Sequence, residues 1–337
     1  MRAVVYSQTG GPDVLRLVER PARDPGPGEV RVKVRVSGVN PTDWKARRGG
    51  GELPFPEVVP NQDGAGTIDG VGEGVPASRV GERVWLWEAA WQRADGTAQE
   101  FVVIPGRQAV RLPDAVSFDS GASLGIPALT AHRCLTISEL GPRRLVPGAL
   151  ALQTVLVAGG AGAVGHATIQ LAHWAGARVL STVSSEDKAM LALSAGAEHV
   201  VNYRTGDAAE EIRRLAPDGV DVVVEVAPAA NAALDQAVLA PNGTVAAYAT
   251  DGGNELELSV RALMSRNVRY QFVLVYTVPA KAKDQAVADV VAAVVEGALP
   301  VGEEAGLPLH RFPLERTADA HAAVEGGAVG KVLIDVG

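Results

Sequence analysis

Four small residues, GGAG at 159–162, stand between an apolar run at 155–158 and a stretch in which Val164, Ala167, Leu171 and Ala172 recur at helical spacing. That order reads as strand, tight turn and helix. With no bulky side chain in the turn, a pyrophosphate can reach the backbone N–H groups that open the helix, where unpaired donors and the positive end of the helix dipole meet it together. Gly160, Ala161, Gly162, Ala163 and Val164 are therefore the residues expected to hold a dinucleotide phosphate. Tight strand-to-helix packing alone also selects glycine, so the turn needs support from elsewhere in the chain.

That support lies at the next strand. In a dinucleotide-binding unit the tip of the second strand separates the two nicotinamide coenzymes, because an acid there accepts from a free ribose hydroxyl and repels a 2′-phosphate. Here the tip reads TVSS at 182–185, without a carboxylate, and Lys188 follows one helical turn on. Ser184, Ser185 and Lys188 favour NADPH over NADH. The competing reading makes Ser184 a helix cap and Lys188 a solvated charge.

Other chemistries find little purchase. A single cysteine, Cys134, and six histidines without paired ligand spacing argue against a catalytic or structural zinc. No G-x-S-x-G elbow is present, so a serine hydrolase is unsupported. The net charge of −8, with no basic stripe, excludes a nucleic-acid surface. Residues 145–177 lack Asp, Glu, Lys and Arg, but glycines and polar residues interrupt them, so a buried strand and covered helix fit better than a membrane span. One cysteine, and an N-terminus without a signal-peptide apolar core, point to a reducing cytoplasm. What remains is hydride transfer, in which a cofactor carries the reactivity.

The elements that must position these residues fall into two groups. Up to about residue 125, short alternating segments at 3–6, 15–18, 29–36, 64–69, 81–87 and 100–105 are punctuated by Pro and Gly and read as a barrel-like domain. Beyond residue 120, strands alternate with helices as in a doubly wound parallel sheet. Helices are expected at about 186–195, 208–216, 231–239 and 281–296, with strands at 244–248 and 268–276 and a closing strand at 331–336. The strand at 268–276 is long, apolar and last in its sheet, so its edge invites pairing with a second copy of the chain.

Taken together, PGPGEVRVKV (25–34), SGVNPTD (37–43), PNQDGAG (60–66), VGERV (80–84), LTA (129–131), AGGAGAVG (158–165), VNY (201–203) and GK (330–331) resemble the zinc-independent quinone oxidoreductases of the medium-chain dehydrogenase/reductase superfamily over nearly the whole length. The resemblance implies an α/β chain with a GroES-like β-barrel domain at 1–127, completed by 279–337, and a Rossmann NADP-binding domain at 128–278. It implies NADPH as cofactor, no metal, and a homodimer. Asn40 stands where zinc-dependent relatives have cysteine, and Gln62 and Asp63 replace their His-Glu pair. Asn40 and Asp43 are implied to position nicotinamide and substrate, while Thr130, Tyr248, Phe272 and Leu274 line the cofactor. Ser184, Lys188 and Tyr203 would surround its 2′-phosphate, and Lys331 would approach from the phosphate side. One departure bears on substrate: the tyrosine that follows this segment in many quinone reductases is absent, and Trp44, Lys45 and Arg47 stand there instead.

The implied activity is NADPH-dependent hydride transfer to a quinone or an α,β-unsaturated ketone. Two alternatives stay open. One is an enoyl-thioester reductase, with Arg47, Arg48 or Arg93 meeting a phosphopantetheine arm. The other is a non-catalytic NADPH-binding protein.

Overall fold

The computed structural model describes residues 1–337. The chain forms two compact units, one of Met1–Ile126 with Pro308–Gly337, the other of Pro127–Leu307.

The first unit opens with β1 (Arg2–Val5) antiparallel to β2 (Arg16–Glu19), then β3 (Glu29–Val39) and the short helix α1 (Pro41–Arg48). Strands β4 (Asp63–Val71), β5 (Arg83–Leu86), β6 (Phe101–Pro105) and β7 (Ala109–Arg111) follow. β3 organises the unit. Its Val30, Val32, Val34 and Val36 point inward while Lys33 and Arg35 face solvent, the period-two pattern of a half-buried strand. Two irregularities in its register with β4 bend the pair, and Gly66 lies at one of them: a Cβ there would come within 2.1 Å of the Lys33 carbonyl oxygen. Helix α2 (Phe118–Leu135) then carries the chain out of the unit, broken at Gly125, whose φ and ψ are non-helical, and by Pro127.

The second unit continues with β8 (Thr154–Ala158), α3 (Ala163–Trp174), β9 (Arg178–Val183), α4 (Glu186–Ser194), β10 (His199–Asn202), α5 (Ala208–Leu215), β11 (Val220–Glu225), α6 (Pro228–Val238), β12 (Leu239–Ala247), α7 (Val260–Met264), β13 (Arg269–Phe272) and α8 (Ala280–Val295). All six strands are parallel, in the order β10-β9-β8-β11-β12-β13. The chain winds outward from β8 to β10 and then returns to β8's other side with β11, so the strand order reverses there, the point at whose carboxyl ends doubly wound sheets bind their ligands. Leu156, Leu180, Val201, Val223 and Val245, one from each of five adjacent strands, form the core.

The chain re-enters the first unit with β14 (Leu309–Pro313), α9 (Thr317–Glu325) and β15 (Lys331–Asp335). β15 pairs antiparallel with β3 and parallel with β14, closing a seven-stranded sheet.

Two expectations need correction. The return to the first unit comes at Pro308 and not at 279. Buried polar ties hold residues 280–307 in the second unit: Asp289 of α8 accepts from Leu145 N at 2.8 Å and lies 2.8 Å from His132 Nε2, Gln170 Nε2 donates to Pro300 O, and His166 Nε2 lies 2.8 Å from Ala305 O. The strand expected at 268–276 is only four residues long, because the bonds Thr277 N to Leu274 O and Val278 N to Val275 O curl the chain into a 3₁₀ turn. It is nevertheless the edge strand. No helix is long and apolar enough to cross a membrane.

Candidate functional site

In the second unit, the turn from β8 into α3 needs its glycines for close packing. A Cβ on Gly160 would fall 2.2 Å from Ser181 Oγ and 2.8 Å from Ile169 Cδ1; one on Gly165 would fall 2.4 Å from the Gly159 carbonyl oxygen. Gly159 has φ +72°, the left-handed region that only glycine enters freely. The loop is thereby pressed flat against β9 and α3. Gly162 is the exposed N-cap of α3, and the first intrahelical bond runs from His166 N to Gly162 O. The N–H groups of Ala163, Val164 and Gly165 precede that bond and open the helix as donors, with no acidic side chain in the first turn to compete for them. Ala161 is buried and contributes backbone only.

At the tip of β9 the expected residues come together. Ser185 caps α4, its hydroxyl accepting from Lys188 N at 3.4 Å, and the Lys188 ammonium donates to Ser184 Oγ at 3.1 Å. The cap falls on Ser185 and not on Ser184, which leaves the Ser184 hydroxyl beside a cation. Tyr203 joins them, because its N–H bonds Val183 O at 3.1 Å while its ring stays exposed. Thr130 is buried on α2. Tyr248 continues β12 beside the end of β11, its N–H donating to Glu225 O, and Phe272 and Leu274 are exposed at the end of β13. A dinucleotide cradle of glycine backbone, helix N–H donors and a cation beside a hydroxyl thus fits a nicotinamide dinucleotide phosphate.

In the first unit, a buried polar cluster surrounds Asn40, the N-cap of α1. Its carboxamide reaches into the cluster. Nδ2 donates to Asp63 Oδ2 at 2.7 Å, and Oδ1 accepts from Lys331 Nζ at 2.7 Å, so both ends of the amide are fixed. Lys331 also donates to Asp63 at 3.3 Å, and Ile126 N donates to the other Asp63 oxygen at 2.8 Å. The break at Gly125 makes that last bond possible, since a Cβ there would lie 2.0 Å from Asp63 Oδ1. Burial pushes the Asp63 carboxyl upward, and Lys331, Asn40 and Ile126 N–H oppose it. Asp43 accepts from Asn40 N at 2.7 Å; burial dominates its surroundings and pushes it up to about 8. Beneath them run His321 Nε2 to Asn61 Oδ1, Asn61 Nδ2 to Ser37 Oγ, and Ser37 Oγ to Thr97 Oγ1. Burial holds His321 neutral, down to about 3, and because Asn61 presents its carbonyl, the Nε2 atom carries the proton.

Lys331 is the site residue the structure moves. It is 1% exposed and is consumed by Asn40 and Asp63, so it does not present its ammonium to a phosphate. Asp63 is the partner that sequence reasoning left off the candidate site; its signal was the PNQDG segment, already noted for departing from a metal-ligand pair. Arg47 is likewise buried, donating to Glu325 and to Gly10 O.

Comparison with known proteins places these features. Residues 26–114 match the alcohol dehydrogenase GroES-like domain family, and residues 163–293 match the zinc-binding dehydrogenase family. The quinone oxidoreductase of Rattus norvegicus is 32% identical, covering 99% of this chain and 97% of its own length. A crystal structure of an NAD-dependent alcohol dehydrogenase superposes with a TM-score of 0.87 at 30% identity, covering 100% of both chains. A mycobacterial protein complexed with NADPH gives a TM-score of 0.82 at 31% identity, covering 99% of both. The name of the second matched family raises zinc, and the residues present do not fit it. No three His, Cys, Asp or Glu side chains come together in a way that could hold a metal ion. At Asn40 and Asp63 the positive charge is already supplied by Lys331, which would repel a cation. With both domains matched and a relative aligned over almost its full length, the chain belongs to the medium-chain dehydrogenase/reductase superfamily of oxidoreductases, alongside the quinone oxidoreductases.

Proposed function

We propose that the protein is a cytoplasmic, NADPH-dependent, metal-free reductase of quinones or α,β-unsaturated ketones. The observation that carries the coenzyme choice is the Lys188 ammonium on Ser184 at a strand tip without a carboxylate. The chain also superposes on an NAD-dependent alcohol dehydrogenase, so fold alone does not decide between coenzymes. The nicotinamide, when bound, supplies the hydride. The chain's own part is binding and orientation: the α3 N–H groups hold pyrophosphate, and Ser184, Lys188 and Tyr203 hold the 2′-phosphate end. Thr130, Tyr248, Phe272 and Leu274 line the rest. Asn40, its amide oriented by Lys331 and Asp63, is the acceptor-positioning group of the first unit, with Asp43 fixing its backbone. Quinones need only late protonation from solvent, so no general acid is required.

Replacing Lys188 with alanine removes one charge-assisted contact, which is worth about 1.5–3 kcal/mol. Titration should show NADPH affinity falling by roughly 10- to 100-fold, with NADH affinity unchanged. Equal losses for both coenzymes would overturn the assignment of this tip.

The arginines that a thioester substrate would need are engaged elsewhere. Arg47 and Arg48 both pair with Glu325, and Arg93 donates to Glu88 O, Ala89 O and Gln108. A small free acceptor is favoured over an acyl-thioester, and comparing a free enone with its thioester counterpart separates the two. NADPH binding with no oxidation by any acceptor would favour the non-catalytic reading.

We also propose a homodimer through β13, whose open edge is flanked by exposed Phe272 and Leu274. Val273 is buried and unsuited to test this. Phe272→Lys should give monomers in sedimentation; an unchanged dimer would place the contact elsewhere.

A further inference from the structure

Beneath the carboxyl ends of β11 and β12 lies a second buried acidic pair that the proposed chemistry does not use. Glu225, the last residue of β11, is 1% exposed, and its Oε1 accepts from Ala227 N at 2.5 Å and from Asn231 Nδ2 at 3.0 Å. Asp235, one turn beyond Asn231 on α6, is fully buried beside Glu225. Neither of its carboxyl oxygens meets any donor. A buried carboxylate without a donor is far more costly than a neutral acid, and a neutral acid brings its own proton. Glu225, with two donors already on one oxygen, is the member that keeps the charge; Asp235 is the member that gives a hydrogen bond.

The location of the pair gives it a task. Glu225 pins the turn Val226, Ala227, Pro228 through Ala227 N, and Val226 Cγ1 would lie 3.3 Å from a Cβ on Gly159, the first residue of the glycine loop. Asp251 N donates to Val226 O and Tyr248 N to Glu225 O, so the following segment hangs from the same turn. We propose that Asp235 is a positioning residue that, as the neutral acid, donates to Glu225 and thereby holds the turn after β11 against the dinucleotide loop. Only the link to coenzyme affinity rests on the function proposed above; the shared proton does not.

The titratable groups that feel the pair are Tyr270 from β13 and Tyr248 after β12; Arg266 before β13 acts on Tyr270, and Cys134 of α2 and Asp251 act on Tyr248. Asn231 faces the pair from its own helix, and Arg213 of α5 binds Ala237 O near the helix end. Burial first, then the charge on Glu225, push Asp235 up to about 9. An unfolded aspartate ionises near its ordinary value, roughly 4, so between there and about 9 the native state alone holds this proton. Stability therefore falls as pH rises through that window and levels off above it. In the native state ionisation near 9 places two like charges side by side and frees the turn.

Asp235→Asn keeps a donor for Glu225 and removes the titration. Melting curves of the full chain should show this variant gaining on wild type steadily from about pH 5 to pH 9. NADPH affinity of wild type should weaken about 10-fold between about pH 8 and 10, while that of the variant stays flat within about 2-fold. The infrared carbonyl signal of a protonated carboxyl at neutral pH should lose intensity in the variant. Asp235→Leu, which has no donor, should melt below both at every pH. Parallel stability curves, or an unchanged infrared signal, would overturn the shared proton. A wild-type loss of NADPH affinity that persists undiminished in Asp235→Asn would overturn the positioning role. NADPH binding to neither protein would sink the coenzyme reading, with the melting curves still judging the pair.

Discussion

Gly165→Ala is expected to weaken NADPH binding by roughly 10- to 100-fold while leaving the fold intact, because the added methyl meets backbone and not a movable side chain. The Cβ would stand 2.4 Å from Gly159 O and 3.0 Å from Gly160 Cα, so α3 and the glycine loop must separate. Overpacking of this kind costs about 1–3 kcal/mol, and the displaced groups are the N–H donors proposed to hold pyrophosphate. Gly162→Ala is the comparison, since its Cβ would lie 3.5 Å from the nearest atom, Gly159 O, an ordinary contact. Its circular dichroism and melting point should match wild type. Calorimetric titration reads the effect of Gly165→Ala directly; wild-type affinity in that variant would remove the loop from the binding account.

Lys331→Met carries the largest expected loss of stability. It strands Asp63, fully buried, with only Asn40 Nδ2 and Ile126 N for support, and breaking a buried ion pair from one side costs about 3–5 kcal/mol. The sign with pH follows from the surviving carboxyl. Without Lys331, burial raises Asp63 further, so the native state takes up a proton that the unfolded chain has released, and the deficit grows as pH rises above the ordinary carboxylate range. Urea denaturation should therefore show a larger deficit at neutral than at acid pH. Adding Asp63→Asn to Lys331→Met should recover most of it, because the uncompensated charge is then gone. A double variant no more stable than Lys331→Met would mean that the cluster acts through packing and not through charge.

Much of this architecture was legible before any coordinates. Local order declares itself locally: the valine alternation of β3, the serines before α4 and the glycines after β8 each satisfy a short-range requirement. The grouping of Ser184, Ser185 and Lys188 at the tip of β9 was legible for the same reason, since the three lie within one turn of each other. Lys331 was misread because its partners are remote in sequence, 291 residues away at Asn40 and 268 at Asp63. A lysine following glycine near the chain end looks like a surface charge until β15 is paired with β3. The return point was misplaced for a similar reason, as the amphipathic pattern at 281–296 announces a helix but not that His132 and Leu145 hold its Asp289 in the second unit. Asp235 carried no signal at all: an aspartate in mid-helix reads as a solvated face until Glu225 is found opposite.

The most direct test of the account is NADPH oxidation by a benzoquinone, followed by stopped-flow absorbance, on protein dialysed against a strong chelator. Turnover at the rate of untreated protein, with NADPH preferred over NADH, is the predicted result. No turnover with NADPH, or activity that returns only when zinc is added back, would contradict a metal-free NADPH reductase.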